Sequence, residues 1–262
     1  MRNMSVSKLK CYIGCPQQFK LRYIERVQLD ETPTPLTRGS VIHEFIEDFH
    51  EDIEIVDGKI DLSNIEYPEP DEEDIEHLNH MQKEEMIKNI KKQCRNYVEM
   101  EKGRWNKLKE KSDNPEYYFT PEHSEIKLYD NDKNYVGIID RVQRNLDGTY
   151  TIYDFKTGSI KNGKSDYRKQ LAMYHHLLNK NDTLDGKIKS WGIISPKDKD
   201  IWSEGIKKRS INALHKRMET VRKAIKNEQF ECKEGFTCMY CEDLYQKHLQ
   251  DGGNPTNEKH SW

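Results

Sequence analysis

Period-two alternation of apolar and polar residues marks the middle of the chain. It predicts three strands, in HSEIKLYD (residues 123–130), YVGIIDRVQR (135–144) and TYTIYDFKTG (149–158). NLDG joins the last two and predicts a hairpin. The spacing then turns helical over DYRKQLAMYHHLLNK, returns to a strand in KIKSWGIISPK, and ends in a long basic amphipathic helix over IKKRSINALHKRMETVRKAIKN. Upstream, KLKCYIGCPQQFKLRYIERV reads as a helix capped by Ser7, with Leu9, Tyr12, Ile13, Phe19, Leu21 and Tyr23 apolar and Pro16 breaking or restarting it. DETPTPLTRGS reads as a loop before a second helix, VIHEFIEDFHED, whose stripe is Val41, Ile42, Phe45, Ile46 and Phe49. His43 lies off the centre of that stripe. The stretch to Glu76 has weak periodicity and two prolines and reads as a loop or insertion; a long helix follows from about His77 to Glu110.

The expected class is α/β with an N-terminal helical elaboration. Residues 1–115 are expected to form a helical region, 116–205 a core carrying the strands, 206–248 a basic helix with cysteines, and 249–262 a disordered tail. Hydrophobic and charged residues each make up 34% of the 262, so many helices should be exposed on one side. No apolar run approaches the roughly 20 residues that cross a bilayer. The N-terminus lacks the apolar segment of a signal peptide, which predicts a cytoplasmic protein with no membrane partner, or one in host cytoplasm if phage-encoded. Net charge is only -3, but twelve acids and one lysine fall between Glu51 and Glu76. The remainder is therefore net basic, and local field rather than total charge is what a phosphate backbone meets.

On a strand, residues two apart share a face, so Asp154 and Lys156 project together while Phe155 points into a core. The hairpin brings Asp140 beside them. Two carboxylates and a lysine on adjacent strands suit a hard cation, Mg²⁺ or Mn²⁺, which polarises a phosphodiester while the lysine orients water or stabilises developing charge. An isolated Asp-x-Lys is more commonly a surface ion pair worth at most about 1 kcal/mol.

The ordered set SVSKLKCYIGCPQQF, RGSVIHEFIE, GIIDRV, YDFKTG, QLAMYHHLL and CMYC resembles the PD-(D/E)XK nucleases, in particular their RecB-like branch with the CRISPR-associated and AddB-type nucleases. The resemblance implies a restriction-endonuclease-like core: a central mixed β-sheet flanked by helices. It further implies that His43, Asp140, Asp154 and the Phe155 carbonyl hold the metal and that Lys156 is the catalytic lysine. Gln170 and Tyr174 would face the site and help place the DNA backbone. Glu122 or Glu125 is a candidate additional carboxylate, the alternative being a solvated strand edge. Lys161, Lys164, Arg168 and Lys169 are candidate phosphate contacts, the alternative being solvated surface charge.

Many members of that branch hold a [4Fe-4S] cluster with one N-terminal and three C-terminal cysteines. Cys15-Pro16 matches the first position and Cys238 and Cys241 the next two, but the fourth falls on Lys247. Cys232 is the first substitute, with Cys11 and His248 after it; zinc and uncomplexed thiols are the alternatives to a cluster. Such a cluster would tie the first helix to the end of the chain. The expected activity is a metal-dependent deoxyribonuclease, an exonuclease on single-stranded or frayed ends in recombination, repair or replication. GxxxxGK[ST] does not occur, so unwinding would need a helicase or recombination partner. The competing expectations are a catalytically silent DNA-binding accessory subunit and a sequence-specific endonuclease.

Overall fold

The computed structural model describes residues 3–29, 34–233 and 238–253, without the side chains of 238–240. In chain order the elements are α1 (Val6–Gly14), α2 (Pro16–Phe19), a π-helical turn (Lys20–Ile24), α3 (Thr34–Asp52), β1 (Glu54–Val56), β2 (Lys59–Asp61), α4 (Glu72–Ile75), α5 (His80–Lys109), α6 (Pro115–Phe119), β3 (His123–Asp130), β4 (Tyr135–Arg144), β5 (Tyr150–Phe155), α7 (Lys164–Asn181), β6 (Ile188–Ser195), β7 (Asp200–Gly205), α8 (Lys208–Lys226) and α9 (Cys238–Gln250). The chain divides into two compact units. One comprises Met1–Asp30, Tyr129–Gly137 and Lys208–Trp262, and the other Glu31–Leu128 and Ile138–Lys207. The predicted N-terminal region is thus divided between them near residue 30.

The second unit is built on a five-stranded sheet in the order β3-β4-β5-β6-β7. β4 and β5 pair antiparallel, with Arg141 opposite Tyr153. β5 and β6 pair parallel, with Asp154 opposite Ile193, because α7 carries the chain back to the start of the sheet. β7 pairs antiparallel with β6. The result is the mixed sheet expected from the sequence. One side is covered by α3 and α5, where Ile42, Phe45, Phe49, Ile90, Tyr97 and Phe155 share a buried cluster. On α7, Leu171, Ala172, Leu177 and Leu178 are buried, and this helix packs on β5 and β6. Successive residues of β5 serve different layers, as strand geometry requires: Phe155 joins the α3/α5 cluster, and Asp154 accepts a hydrogen bond from Tyr174 of α7.

Beneath the sheet lies a buried ionic group. Arg141 donates to Glu101 at 2.9 Å and to Gln143 at 2.6 Å, Arg104 donates to Glu101 at 2.6 Å, and His50 stands 3.5 Å from the same carboxylate. Burial alone would raise the Glu101 carboxyl, but the two guanidinium groups outweigh it and hold it well below the carboxylate range.

In the first unit, Ser5 rather than Ser7 caps α1, its side chain accepting from Lys8 N at 3.2 Å. Helix α1 packs on α8 and α2 on α9. Helix α8 buries Leu214, Met218 and Val221 along one stripe, as its amphipathic pattern requires.

Four other expectations change. The loop read as DETPTPLTRGS is helical from Thr34, because Pro35 sits in the first turn, where its missing N–H costs nothing. The acidic stretch contains a β1–β2 hairpin turning at Asp57-Gly58, both at positive φ (50° and 69°). Strand β7 was not expected after the chain turns beyond Ser195. Helix α9 continues to Gln250, past the predicted start of the disordered tail, and residues 254–262 lie outside the described residues.

Candidate active site

Asp140 and Asp154 reach one place because β4 and β5 are hydrogen-bonded neighbours. The Asp140 carboxylate is fixed by the strand beside it, Oδ2 accepting from Phe155 N at 2.7 Å. Lys156 follows β5 directly, and its own N–H donates to Ile194 O at 3.0 Å, which extends the parallel ladder by one residue. Its ammonium lies 2.6 Å from Asp154 Oδ2. That oxygen is fully buried yet receives no well-directed hydrogen bond, so it retains a free lone pair.

Helix α7 completes the arrangement. Gln170 and Tyr174 are one turn apart on the same face. Lys156 Nζ donates to Gln170 Oε1 at 3.4 Å, Gln170 Nε2 donates to the Tyr174 hydroxyl at 2.8 Å, and that hydroxyl donates to Asp154 Oδ1 at 3.1 Å. The chain of bonds ties the lysine and the carboxylate to a rigid helix. Tyr174 is held well above its usual range, first by burial and then by the Asp140 and Asp154 charges, so its hydroxyl stays protonated and donates.

From α3, His43 Nδ1 comes within 3.9 Å of Asp140 Oδ2, and the ring sits edge-on to Phe155 within reach of its backbone. Burial, opposed by Asp154, lowers the His43 pKa and favours the neutral imidazole, which is the form that ligates metals. Asp140 is pushed well above the ordinary carboxylate range, by burial first and by the Asp154 charge next. Lys156 goes the other way from what burial alone would do: the Asp154 and Asp140 charges raise its pKa, so it stays an ammonium.

A cavity of about 680 Å³ is lined by His43, Glu47, Glu125, Asp140, Phe155 and Lys156 among others, whereas Asp154, Gln170 and Tyr174 do not line it. Glu125 therefore belongs to the site and Glu122 does not; Glu122 pairs with Arg144. Glu125 reaches this position with φ of 43° inside β3, a backbone state uncommon for a non-glycine residue and characteristic of functional sites. It hydrogen-bonds Glu47, whose carboxyl is pushed to about 7 chiefly by that contact. Glu47 went unrecognised in the sequence, although it follows His43 at the i+4 spacing that places both on one helix face.

The predicted phosphate contacts do not line this cavity. Arg168 is engaged twice by Glu204, at 2.6 and 2.8 Å, and Lys169 pairs with Asp166 at 2.6 Å. Lys161 and Lys164 are exposed, and Lys164 lies 5.7 Å from the centre of the Trp202 ring.

In the first unit, Cys15, Cys232 and Cys241 bring their sulfurs within 4.8 Å of one another. Cys15 Sγ is 3.8 Å from that of Cys232 and 3.9 Å from that of Cys241, and hydrogen bonding, led by Cys241, lowers the Cys15 thiol to about 5. Three adjacent sulfurs, one biased toward thiolate, fit a soft metal. The Cys238 side chain lies outside the described residues. Neither weaker substitute joins the group: Cys11 contacts Gln18 at 3.8 Å and is raised to about 11 by burial, and His248 pairs with Glu25 at 3.4 Å.

Among the described residues, no helix is long and apolar enough to cross a membrane. A comparison with curated protein sequences finds no significant match. The fold is similar to the crystal structure of a protein from Eubacterium rectale whose exonuclease designation is provisional. That alignment has a TM-score of 0.52 and 14% identity, and it covers 99% of this chain and 91% of that one. The family model of the PD-(D/E)XK nuclease superfamily matches residues 3–243, a span that contains the paired aspartates, the lysine beside them and the three clustered cysteines. By that match, over nearly its whole length, the chain belongs to the PD-(D/E)XK nuclease superfamily.

Proposed function

We propose that the protein is a divalent-metal-dependent deoxyribonuclease, of the RecB-like branch, that degrades single-stranded or frayed DNA from its ends in recombination, repair or replication. The observation that carries this reading is that Asp140 and Lys156 line one cavity while the buried Asp154 stands 2.6 Å from the Lys156 ammonium, its Oδ2 left without a directed donor. The donor set is oxygen-rich with one imidazole and suits Mg²⁺ or Mn²⁺. Asp140, Asp154, His43 and the Phe155 carbonyl would hold the ion, and its positive charge would offset the burial and mutual repulsion that raise Asp140. When bound, such an ion supplies Lewis-acid polarisation of the phosphoryl oxygens.

The chain's own groups account for the rest. Lys156 remains an ammonium, so its part is to donate hydrogen bonds to the attacked phosphate or to the entering water, not to remove a proton. Gln170 and Tyr174 orient Lys156 and Asp154. Glu47, with a carboxyl near 7, is the cavity group suited to accept a proton at neutral pH. In this reading the cysteine group of the first unit carries a [4Fe-4S] cluster in a structural role, with zinc as the other soft-metal candidate.

Intact catalytic groups disfavour the silent accessory subunit: a binding-only protein has no chemical use for a lysine held against a buried carboxylate with a second carboxylate on the neighbouring strand. Digestion of linear and covalently circular single-stranded DNA in Mg²⁺ tests the end requirement. Loss of the linear form with the circle intact supports an exonuclease. Equal loss of both overturns the end requirement while leaving nuclease activity standing.

A further inference from the structure

The first unit has a cavity of its own, of about 880 Å³, whose charged lining is all of one sign. Lys8 of α1, Arg22 of the π-helical turn, Arg26 just after it, and Arg222 and Lys226 of α8 surround it, and no carboxylate contributes to the lining. Several surface cations elsewhere are partnered, among them Lys83 with Glu72, Lys91 with Glu69, Lys189 with Asp147 and Lys199 with Glu99. None of the five around this cavity forms an ion pair among the described residues.

Two of them are nevertheless held in place. Arg222 donates to Asn134 O at 2.8 Å and lies 4.8 Å from the centre of the Tyr135 ring, and Lys8 donates to Asn3 O at 2.9 Å and lies 5.5 Å from the centre of the Tyr23 ring. Gathering unpaired like charges around one hollow is unfavourable in the free protein. A structural role would be served by pairing them, whereas a polyanion would neutralise them all. Ile24, 45% exposed between Arg22 and Arg26, and Tyr23 add apolar surface among the charges.

We propose that this cavity is a nucleic-acid site additional to the candidate active site, taking the phosphate backbone of a single-stranded segment while Ile24 and Tyr23 meet sugar and base faces. The choice of ligand rests on the nuclease reading. Five cations spread over three segments of chain exceed what a single phosphate group engages, which favours a run of phosphates.

The test is fluorescence anisotropy of a labelled oligo(dT) across a salt series, with full-length protein carrying Lys156→Ala so that the probe survives. Arg26→Gln/Lys226→Gln alters two exposed side chains, and Arg22→Gln/Arg222→Gln is the second pair. Each lost phosphate contact on a single strand should make the log–log salt dependence shallower by about 0.7, so each pair should flatten it by about 1.4. Unchanged slope and affinity in both pairs, or no binding by the parent, overturns the proposal. So does displacement of the probe by a nucleoside triphosphate at micromolar concentration, which would mark a compact polyphosphate site. Hydrolysis of a chromogenic phosphodiester by the unsubstituted protein reports on the nuclease reading separately.

Discussion

Asp154 has a buried carboxylate whose two oxygens have different surroundings, Oδ1 accepting from Tyr174 and Oδ2 facing the Lys156 ammonium. Tyr174 is therefore a positioning residue, and Tyr174→Phe separates positioning from binding. The substitution removes one donor and leaves the Gln170 amide without its acceptor, but Tyr174 is buried and does not line the cavity, so the cavity surface is unchanged. We expect kcat to fall about tenfold, near 1.4 kcal/mol, with KM unchanged. A fall in melting temperature with full kcat would assign the tyrosine a purely structural role. The residues with backbone-dictated partners were legible in the sequence: Asp140, Asp154 and Lys156 follow from strand period and a hairpin. Glu47 was not, nor was the choice of Glu125 over Glu122, because these depend on how α3 meets β3 and on an unusual backbone angle at Glu125.

At the scale of elements, the sheet is pinned to α5 by the buried ionic group around Glu101, and this gives stability a pH dependence. His50, 7% exposed at its side chain, is held near 4 chiefly by burial, against 6.5 for an ordinary histidine. Below pH 6.5 the unfolded chain takes up a proton that the native imidazole refuses. The stability contribution is thus complete above 6.5 and is lost progressively as pH falls toward 4, by up to about 3 kcal/mol. Urea unfolding at pH 7 and pH 4.5 should show His50→Gln losing about 2 kcal/mol less than wild type over that interval. Equal losses would show that His50 does not carry this pH dependence. Elements with a strong period were readable, among them β4, β5, α5, α7 and α8. The β1–β2 hairpin was hidden by acidic residues on its solvent-facing positions, although Asp57-Gly58 carried the turn signal and Ile55 and Ile60 the buried alternation.

For the whole molecule, the mixed sheet was legible because β5–α7–β6 fixes a parallel pair. The division into units was not, because it joins segments from opposite ends of the sequence. The cysteine group is one of the contacts that join them, linking Cys15 to Cys232 and Cys241. Metal bound there contributes directly to folding. Protein purified without oxygen should contain iron and sulfide and absorb at the blue edge of the visible range. Cys15→Ser should lose both and melt several degrees lower. A colourless protein containing zinc refutes the cluster, and a metal-free protein with an unchanged melt in Cys15→Ser refutes any structural metal there.

The proposed function stands or falls with Asp140, Asp154 and Lys156 as a working phosphodiesterase centre. Its most direct test is the degradation of end-labelled single-stranded DNA with Mg²⁺ or Mn²⁺ by wild type and by Lys156→Ala. Metal-dependent shortening is expected, falling about a thousandfold or more in the variant, some 4 kcal/mol of transition-state stabilisation. Wild-type protein that binds the DNA and leaves it intact in either metal, or a variant that cleaves as fast as wild type, would contradict it.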